Sequence, residues 1–474
     1  MSETELEPQV VAQESELDED DRLKPEFVRA VLDAVEAGHD EDARALVEPL
    51  HPADIADLFE LTSHEDRPAL ARALADLLDA DVFAEMNDYV REDLIDALEP
   101  HEVADIAAEL DTDDAVAIIE DMEPEDQREV LRAMEPDDRA AIEEALSYPE
   151  ESAGRLMQRE LIAVPEHWTV GDVLDYMRKN DDLTTDFWEI FVVDPAHKPI
   201  GTCALSWVLR TPRAISISDV MKREQMLIPV DMDQEEVALR FQKYALISAA
   251  VVDPSGRLVG MITVDDVVHI ISEEAGEDIL RLSGAGEGDI NEPIFDSYKG
   301  RVRWLITNLA TALLPASIVM TFEATIAQKA VLAALMPIVA GVGGNAGTQT
   351  LAVTVRALAT NQLTQSNTMR AIQREIMIAL MNGATVAVAI GMAVTLAGLV
   401  LPSLGGGLML GGVIAAAMLT NILIAGLAGV LVPVTLERFE QDPAVASSIF
   451  VTMVTDSMGF LAFLGLATMS GMVG

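Results

Sequence analysis

The sequence predicts a multidomain α + α/β chain: an acidic body of short helices and two small α/β units, then five membrane-crossing helices. Three observations predict it. Charge divides sharply. Of 81 acids and 31 bases, six acids and seven bases lie in residues 301–474, so residues 1–300 keep 75 acids against 24 bases. Apolar runs long enough to cross a hydrocarbon core of about 30 Å occur only after residue 300. Between residues 151 and 275, β-type runs alternate twice with helical stretches.

Residues 1–24 are polar and acidic, and disorder is expected there. Residues 25–150 read as an α-helical, superhelical domain. Pro52, Pro100, Pro124 and Pro136 are spaced by multiples of twelve, three of them as Leu98-Glu-Pro100, Met122-Glu-Pro124 and Met134-Glu-Pro136. Proline in a first turn lacks only an N–H that has no helical partner, and the acids behind it favour the helix dipole. Short helices with one apolar stripe must stack to bury it. Such a domain binds or regulates, and by itself names no chemistry.

The first α/β unit, 151–213, holds Glu189-Ile-Phe-Val-Val-Asp194 and Pro199-Ile-Gly-Thr-Cys-Ala-Leu205. The second, 214–275, holds Ser248-Ala-Ala-Val-Val-Asp253 and Gly256-Arg-Leu-Val-Gly-Met-Ile-Thr263. Thr169-Val-Gly-Asp172 and Asp233-Gln-Glu-Glu236 read as the starts of upstream helices. This repeated β-turn-β-α order resembles a tandem pair of CBS domains. The resemblance implies ATP as a candidate ligand, at Thr263 and Asp266 after the last strand. The first unit has Ala204 and Trp207 at the matching places, so at most one nucleotide site is intact. Residues 276–300 connect the body to the membrane part. Glu273, Glu274, Glu277 and Asp278 form an acidic cluster at the end of the last CBS helix, and Gly284, Gly286 and Gly288 allow a break.

Spans are expected over 303–322, 331–358, 376–401, 408–434 and 444–472. Arg301, Arg303, Arg356, Arg370, Arg374 and Arg438 flank one side and Lys329 alone the other. The positive-inside rule then makes the acidic body cytosolic and puts the C-terminus outside. The acidic N-terminus has no apolar core and is no secretory signal. Strong acidity excludes nucleic acid and anionic lipid head groups as partners by general attraction. It also matches the surface of salt-adapted proteins. A single cysteine, Cys203, excludes an internal disulfide and a thiolate metal site.

Inside the second span, Gly341-Val-Gly-Gly-Asn-Ala-Gly-Thr-Gln-Thr350 is glycine-rich and polar, so it should face a bundle interior or a pore. The ionisable side chain deepest in a span is Asp456, in Val451-Thr-Met-Val-Thr-Asp-Ser-Met-Gly459. A carboxylate there costs several kcal/mol unless paired, protonated or hydrated, and no base lies at comparable depth. A cation or hydrated cavity explains it best, with Thr452 and Thr455 as further oxygens. A protonated structural Asp is the alternative. Glu323 ends the first span on the outer side and could draw cations to an entrance. The spans hold no Cys or His, so a hard cation fits. Two Asp456 side chains around an ion that keeps its waters would suit Mg²⁺, which makes a homodimer with a central pore attractive.

The sequence now resembles the MgtE family of magnesium channels, over nearly its full length. The resemblance rests on the domain order and on Gly343-Gly-Asn-Ala-Gly-Thr-Gln349, Arg356-Ala-Leu-Ala-Thr360, Arg301-Val-Arg-Trp304, Asp442-Pro-Ala and Thr455-Asp456. It implies a Mg²⁺-selective homodimeric uptake channel, closed when cytosolic Mg²⁺ holds a connecting plug helix against the pore. It implies a pore ion at Asp456 and a wall including Gly343, Gly344, Asn345, Gly347 and Thr348. It implies regulatory Mg²⁺ at Asp233, Glu235, Asp266, Glu274, Glu277 and Asp278. Ala245 and His269 replace family acids, which puts one regulatory site in doubt, and Ser447-Ser448-Ile449 departs from the family pattern at the inner end of the last span. An ion-coupled divalent cation carrier and a membrane CBS sensor without transport remain alternatives. No enzyme is expected, because the spans hold no nucleophile–base, di-acidic or metalloprotease arrangement.

Overall fold

The computed structural model describes residues 16–120, 122–180, 187–285, 288–364, 366–400, 407–439, 441–445 and 447–472. The chain divides into two compact units, Met1–Ser272 and Glu273–Gly474.

In the first unit, helices Pro52–Glu60, Pro100–Glu109, Pro124–Ala133 and Pro136–Ala145 each begin on the proline that predicted them, and a further helix, Pro25–Glu36, also begins on a proline. The first turns carry Asp54, Glu102, Glu125 with Asp126, and Asp137 with Asp138. At Pro100 the cap is reciprocal: the Glu99 backbone N–H donates to the Glu102 carboxylate at 2.9 Å. One apolar cluster runs through these helices, including Val31, Leu58, Phe59, Leu70, Phe83, Val90 and Ile119. Disorder was expected over 1–24. Residues 1–15 lie outside the described residues, but residues 16–24 are folded. Leu17 bridges Leu23, and Leu23 joins the apolar cluster.

Two three-stranded sheets follow, β1 (Ala163–Pro165), β2 (Glu189–Val193) and β3 (Pro199–Ala204), then β4 (Leu227–Pro229), β5 (Ser248–Val252) and β6 (Leu258–Thr263). In both, the short first strand pairs parallel to the second, and the second pairs antiparallel to the third. Ile190, Phe191 and Val192, and likewise Ala249, Ala250 and Val251, are buried, so these strands lack polar alternation. After β6 a helix runs unbroken over Val264–Ser283.

Among the described residues the second unit holds five helices long and apolar enough to span a membrane: Ile294–Thr321, Val331–Ala359, Thr368–Val400, Gly407–Arg438 and Ser447–Met469. The fourth is the most enclosed, with Ile414, Ala417, Met418 and Ile422 packed against Leu332, Val339, Phe463 and Leu464 of the second and fifth. The first leaves Leu305, Ile306, Leu309 and Leu313 exposed. A short helix, Glu323–Gln328, links it to the second. Of the connecting segment, the start belongs to helix Val264–Ser283 and the end to the first spanning helix. Gly284 (φ 70°) and Gly288 (φ 73°) turn the chain between them. The third helix begins at Thr368 rather than 376, which brings Glu375 inside it.

Candidate functional site

The glycine-rich stretch is helical throughout and presents two different faces. Gly343 and Gly347 are buried. A Cβ on Gly343 would overlap the Asn421 amide of the fourth span. One on Gly347 would lie 2.6 Å from Val451 Cγ1 of the fifth. These two glycines are close-packing positions. Gly344 has open space around it, and Asn345 and Thr348 are exposed on the same side. The Thr348 hydroxyl donates to the Gly344 carbonyl at 3.0 Å.

On the fifth span, Asp456 is half-buried, and among the described residues no hydrogen bond or ion pair holds its carboxylate. Thr452 is also half-buried. Thr455 is wholly buried: its hydroxyl donates to the Thr452 carbonyl at 3.0 Å and its methyl faces Gly347. Packing therefore uses Thr455, Gly343 and Gly347, and leaves Asp456, Thr452, Gly344, Asn345 and Thr348 as the accessible set. Glu323 is exposed at the first turn of its short helix.

Asn421, which the sequence reading did not single out, ties these helices together. It is fully buried on the fourth span, and its Nδ2 donates to the Val339 carbonyl at 2.9 Å. The same amide lies against Gly459 of the fifth span. One side chain thus wedges between the two helices that carry the accessible polar set. Any longer side chain at Gly343 or Gly459 would push them apart.

In the first unit the regulatory candidates separate. Asp233 caps helix Gln234–Tyr244, accepting from the Glu235 backbone N–H at 2.9 Å. Asp266 accepts from the Thr263 hydroxyl at 2.6 Å and from its N–H at 3.3 Å, so the two candidate nucleotide residues bond to each other. Facing Asp266 is a group the sequence reading passed over, Asp113 and Asp114 of helix Thr112–Glu120. Burial, then Asp266, then neighbouring aspartates push the Asp113 carboxyl well above the usual range. Burial, then Asp266 and Asp111, push Asp114 up to about 6. The Asp266 carboxyl is itself raised, first by burial. One Asp113 oxygen is buried without a partner. Thr112 anchors this helix to the α/β part, its hydroxyl donating to Glu160 at 2.9 Å. Ala245 sits left-handed (φ 50°) as the cap of its helix.

In the second unit, Glu277 and Asp278 end helix Val264–Ser283 beside Asp442, which lies between the fourth and fifth spans. Arg281 pairs with Glu277 and reaches Asp442 at 2.9 Å. Burial, then Asp442 and Glu274, raise the Asp278 carboxyl. Among the described residues no three His, Cys, Asp or Glu side chains converge closely enough to hold a metal ion by themselves.

Comparison with known proteins agrees with this layout. The profile of the divalent cation transporter family MgtE matches residues 336–466, that of the MgtE intracellular N domain residues 50–151, and the CBS domain residues 153–205 and 217–273. A magnesium transporter MgtE of Enterococcus faecalis is 32% identical over 327 residues, which is 69% of this chain and 71% of that one. The chain belongs to the MgtE family of magnesium transporters. Another MgtE, from Thermus thermophilus, is 32% identical over 68% of this chain and 71% of its own length. Mg²⁺ is the transported ion, and the chain is a multi-pass membrane protein with a cytosolic N-terminal body, not an enzyme. Among solved structures, the cytosolic domain of the Mg²⁺ channel MgtE in complex with ATP is 28% identical. It covers 51% of this chain and 99% of that one, with a TM-score of 0.47.

Proposed function

We propose that this MgtE chain is a Mg²⁺-selective uptake channel that works as a homodimer and is closed by cytosolic Mg²⁺. The observation that carries this reading is Asp456, a half-buried carboxylate in a spanning helix that the described residues leave without a protein partner. A carboxylate kept at that depth needs compensation. One from each of two copies supplies two negative charges to a Mg²⁺ that retains its shell. Gly344, Asn345, Thr348 and Thr452 line the path beside it, and Glu323 stands at its outer end. With the acidic body cytosolic, an odd number of spans favours a C-terminus on the outer side.

Closure follows from the acidic clusters. Asp113, Asp114 and Asp266 repel one another when ionised, and so do Asp278, Glu274 and Asp442. Mg²⁺ between them relieves that repulsion and favours the compact arrangement. Glu277 adds charge beside Asp278, and Asp233 and Glu235 are proposed as ligands of a separate regulatory ion. ATP is a second ligand of the CBS pair in this reading, at Thr263 and Asp266.

The test is Mg²⁺ flux into proteoliposomes, with and without Mg²⁺ on the cytosolic face. Flux driven by voltage alone and suppressed by cytosolic Mg²⁺ supports the gated channel. Flux that requires a Na⁺ or H⁺ gradient favours the coupled carrier. For the dimer, Asn345→Cys should crosslink between copies. Native Cys203 will not interfere, because burial and then Glu189 push its thiol up to about 11.

A further inference from the structure

The membrane unit contains a half-open polar cavity whose lining does not include Asp456. Its volume is about 160 Å³, and it lies between the second, third and fourth spans. Its polar lining is Glu375, Arg374, Gln349, Thr350 and Asn382. Glu375 is only 7% exposed, and its carboxylate meets Arg374 at 2.7 Å. The Arg374 side chain is 65% exposed, so this partner sits mostly outside the cavity and can leave it. The backbone approaches closely here. A Cβ on Gly426 would lie 2.8 Å from Ala379 Cβ, and one on Gly429 would lie 2.8 Å from Thr350 Cβ.

We propose that this cavity binds a partly dehydrated alkali cation of the Na⁺ class, held by the Glu375 carboxylate, the Gln349 and Asn382 amide oxygens and the Thr350 hydroxyl. Two physical points select that class. All four groups are hard oxygen donors. One carboxylate balances one positive charge, whereas a dehydrated divalent ion would stay under-neutralised. Binding exchanges the cation for the Arg374 guanidinium, which swings to the helix end. Gln349 and Thr350 directly follow Thr348, so an ion here fixes the second span against the third and fourth just behind its accessible face.

The test uses the full-length protein in detergent without Mg²⁺, melted in NaCl and in choline chloride at equal ionic strength. Na⁺ is expected to raise the melting temperature by about 2–4 °C. Glu375→Gln and Asn382→Leu should each abolish the difference. Equal melting in the two salts for the native chain overturns the proposal. So does a Na⁺ effect that survives in Asn382→Leu, the variant that keeps the test alive if Glu375→Gln does not fold. A shift of the same size with Mg²⁺, lost in the same variants, overturns the alkali assignment. The readout is independent of Mg²⁺ flux, so its failure leaves the pore reading at Asp456 untouched.

Discussion

The Asn421 side chain occupies the space that a Cβ on Gly343 would fill, and from there it donates to the Val339 carbonyl at 2.9 Å. Gly343→Ala should therefore force the second and fourth spans apart, at about 1–3 kcal/mol for overpacking. Asn421→Ala removes one interhelical hydrogen bond and leaves a small void, costing about 1–2 kcal/mol. Thermal unfolding in detergent checks both, and Gly343→Ala combined with Asn421→Ala should be milder than the sum. A strictly additive double variant would show that the two positions do not meet.

Arg281 supplies the positive charge at the membrane end of helix Val264–Ser283, pairing with Glu277 and Asp442. Arg281→Gln should loosen that contact when Mg²⁺ is absent and free two carboxylates for the ion. Partly exposed pairs are worth about 0.5–1 kcal/mol. Protease resistance around residue 284 should thus drop in chelator. The Mg²⁺ needed for half-maximal protection should fall about threefold. Protection that does not respond to millimolar Mg²⁺ in the native chain would remove the sensing account altogether.

The Asp113, Asp114 and Asp266 carboxyls are all raised in the folded chain, Asp114 to about 6. A raised carboxyl binds more protons folded than unfolded. Its stabilising contribution is full below the unfolded value near 4 and is lost as pH rises through about 6. Without divalent ions, thermal stability of the first unit should therefore fall between about pH 5 and pH 7. Partial exposure to solvent limits the loss to about 1–2 kcal/mol. Mg²⁺ should restore stability at pH 7 and do little at pH 5, and Asp114→Asn should flatten the slope. A stability that rises over this range in Asp114→Asn and native protein alike would contradict the cluster.

Much of this was legible because the determining features are local. The prolines that open four helices announce themselves with the acids behind them. Asp456 stands out because an apolar span surrounds it. Other features emerge only when distant segments meet. Asn421 reads as one amide in an apolar run until Gly343 and Gly459 are seen to leave room for it. Asp113 and Asp114 are lost among 81 acids until Asp266 is brought to face them. Glu375 fell outside the expected third span because Arg370 and Arg374 lower the hydropathy there, yet the helix begins at Thr368. Strands β1 and β4 are three residues each, too short to show a period. Thr455 sits one residue from Asp456, but a helix turns about 100° per residue, which carries its hydroxyl into the packing.

In the proposed channel Asp456 holds the permeating ion. The most direct measurement is Mg²⁺ influx into proteoliposomes under a fixed voltage, comparing the native chain with Asp456→Ala at equal reconstituted amounts. Influx should fall at least about tenfold, the equivalent of losing about 1.4 kcal/mol of ion stabilisation, with thermal stability unchanged or raised because an uncompensated carboxylate is gone. Native-level Mg²⁺ influx through a correctly folded Asp456→Ala protein would contradict it.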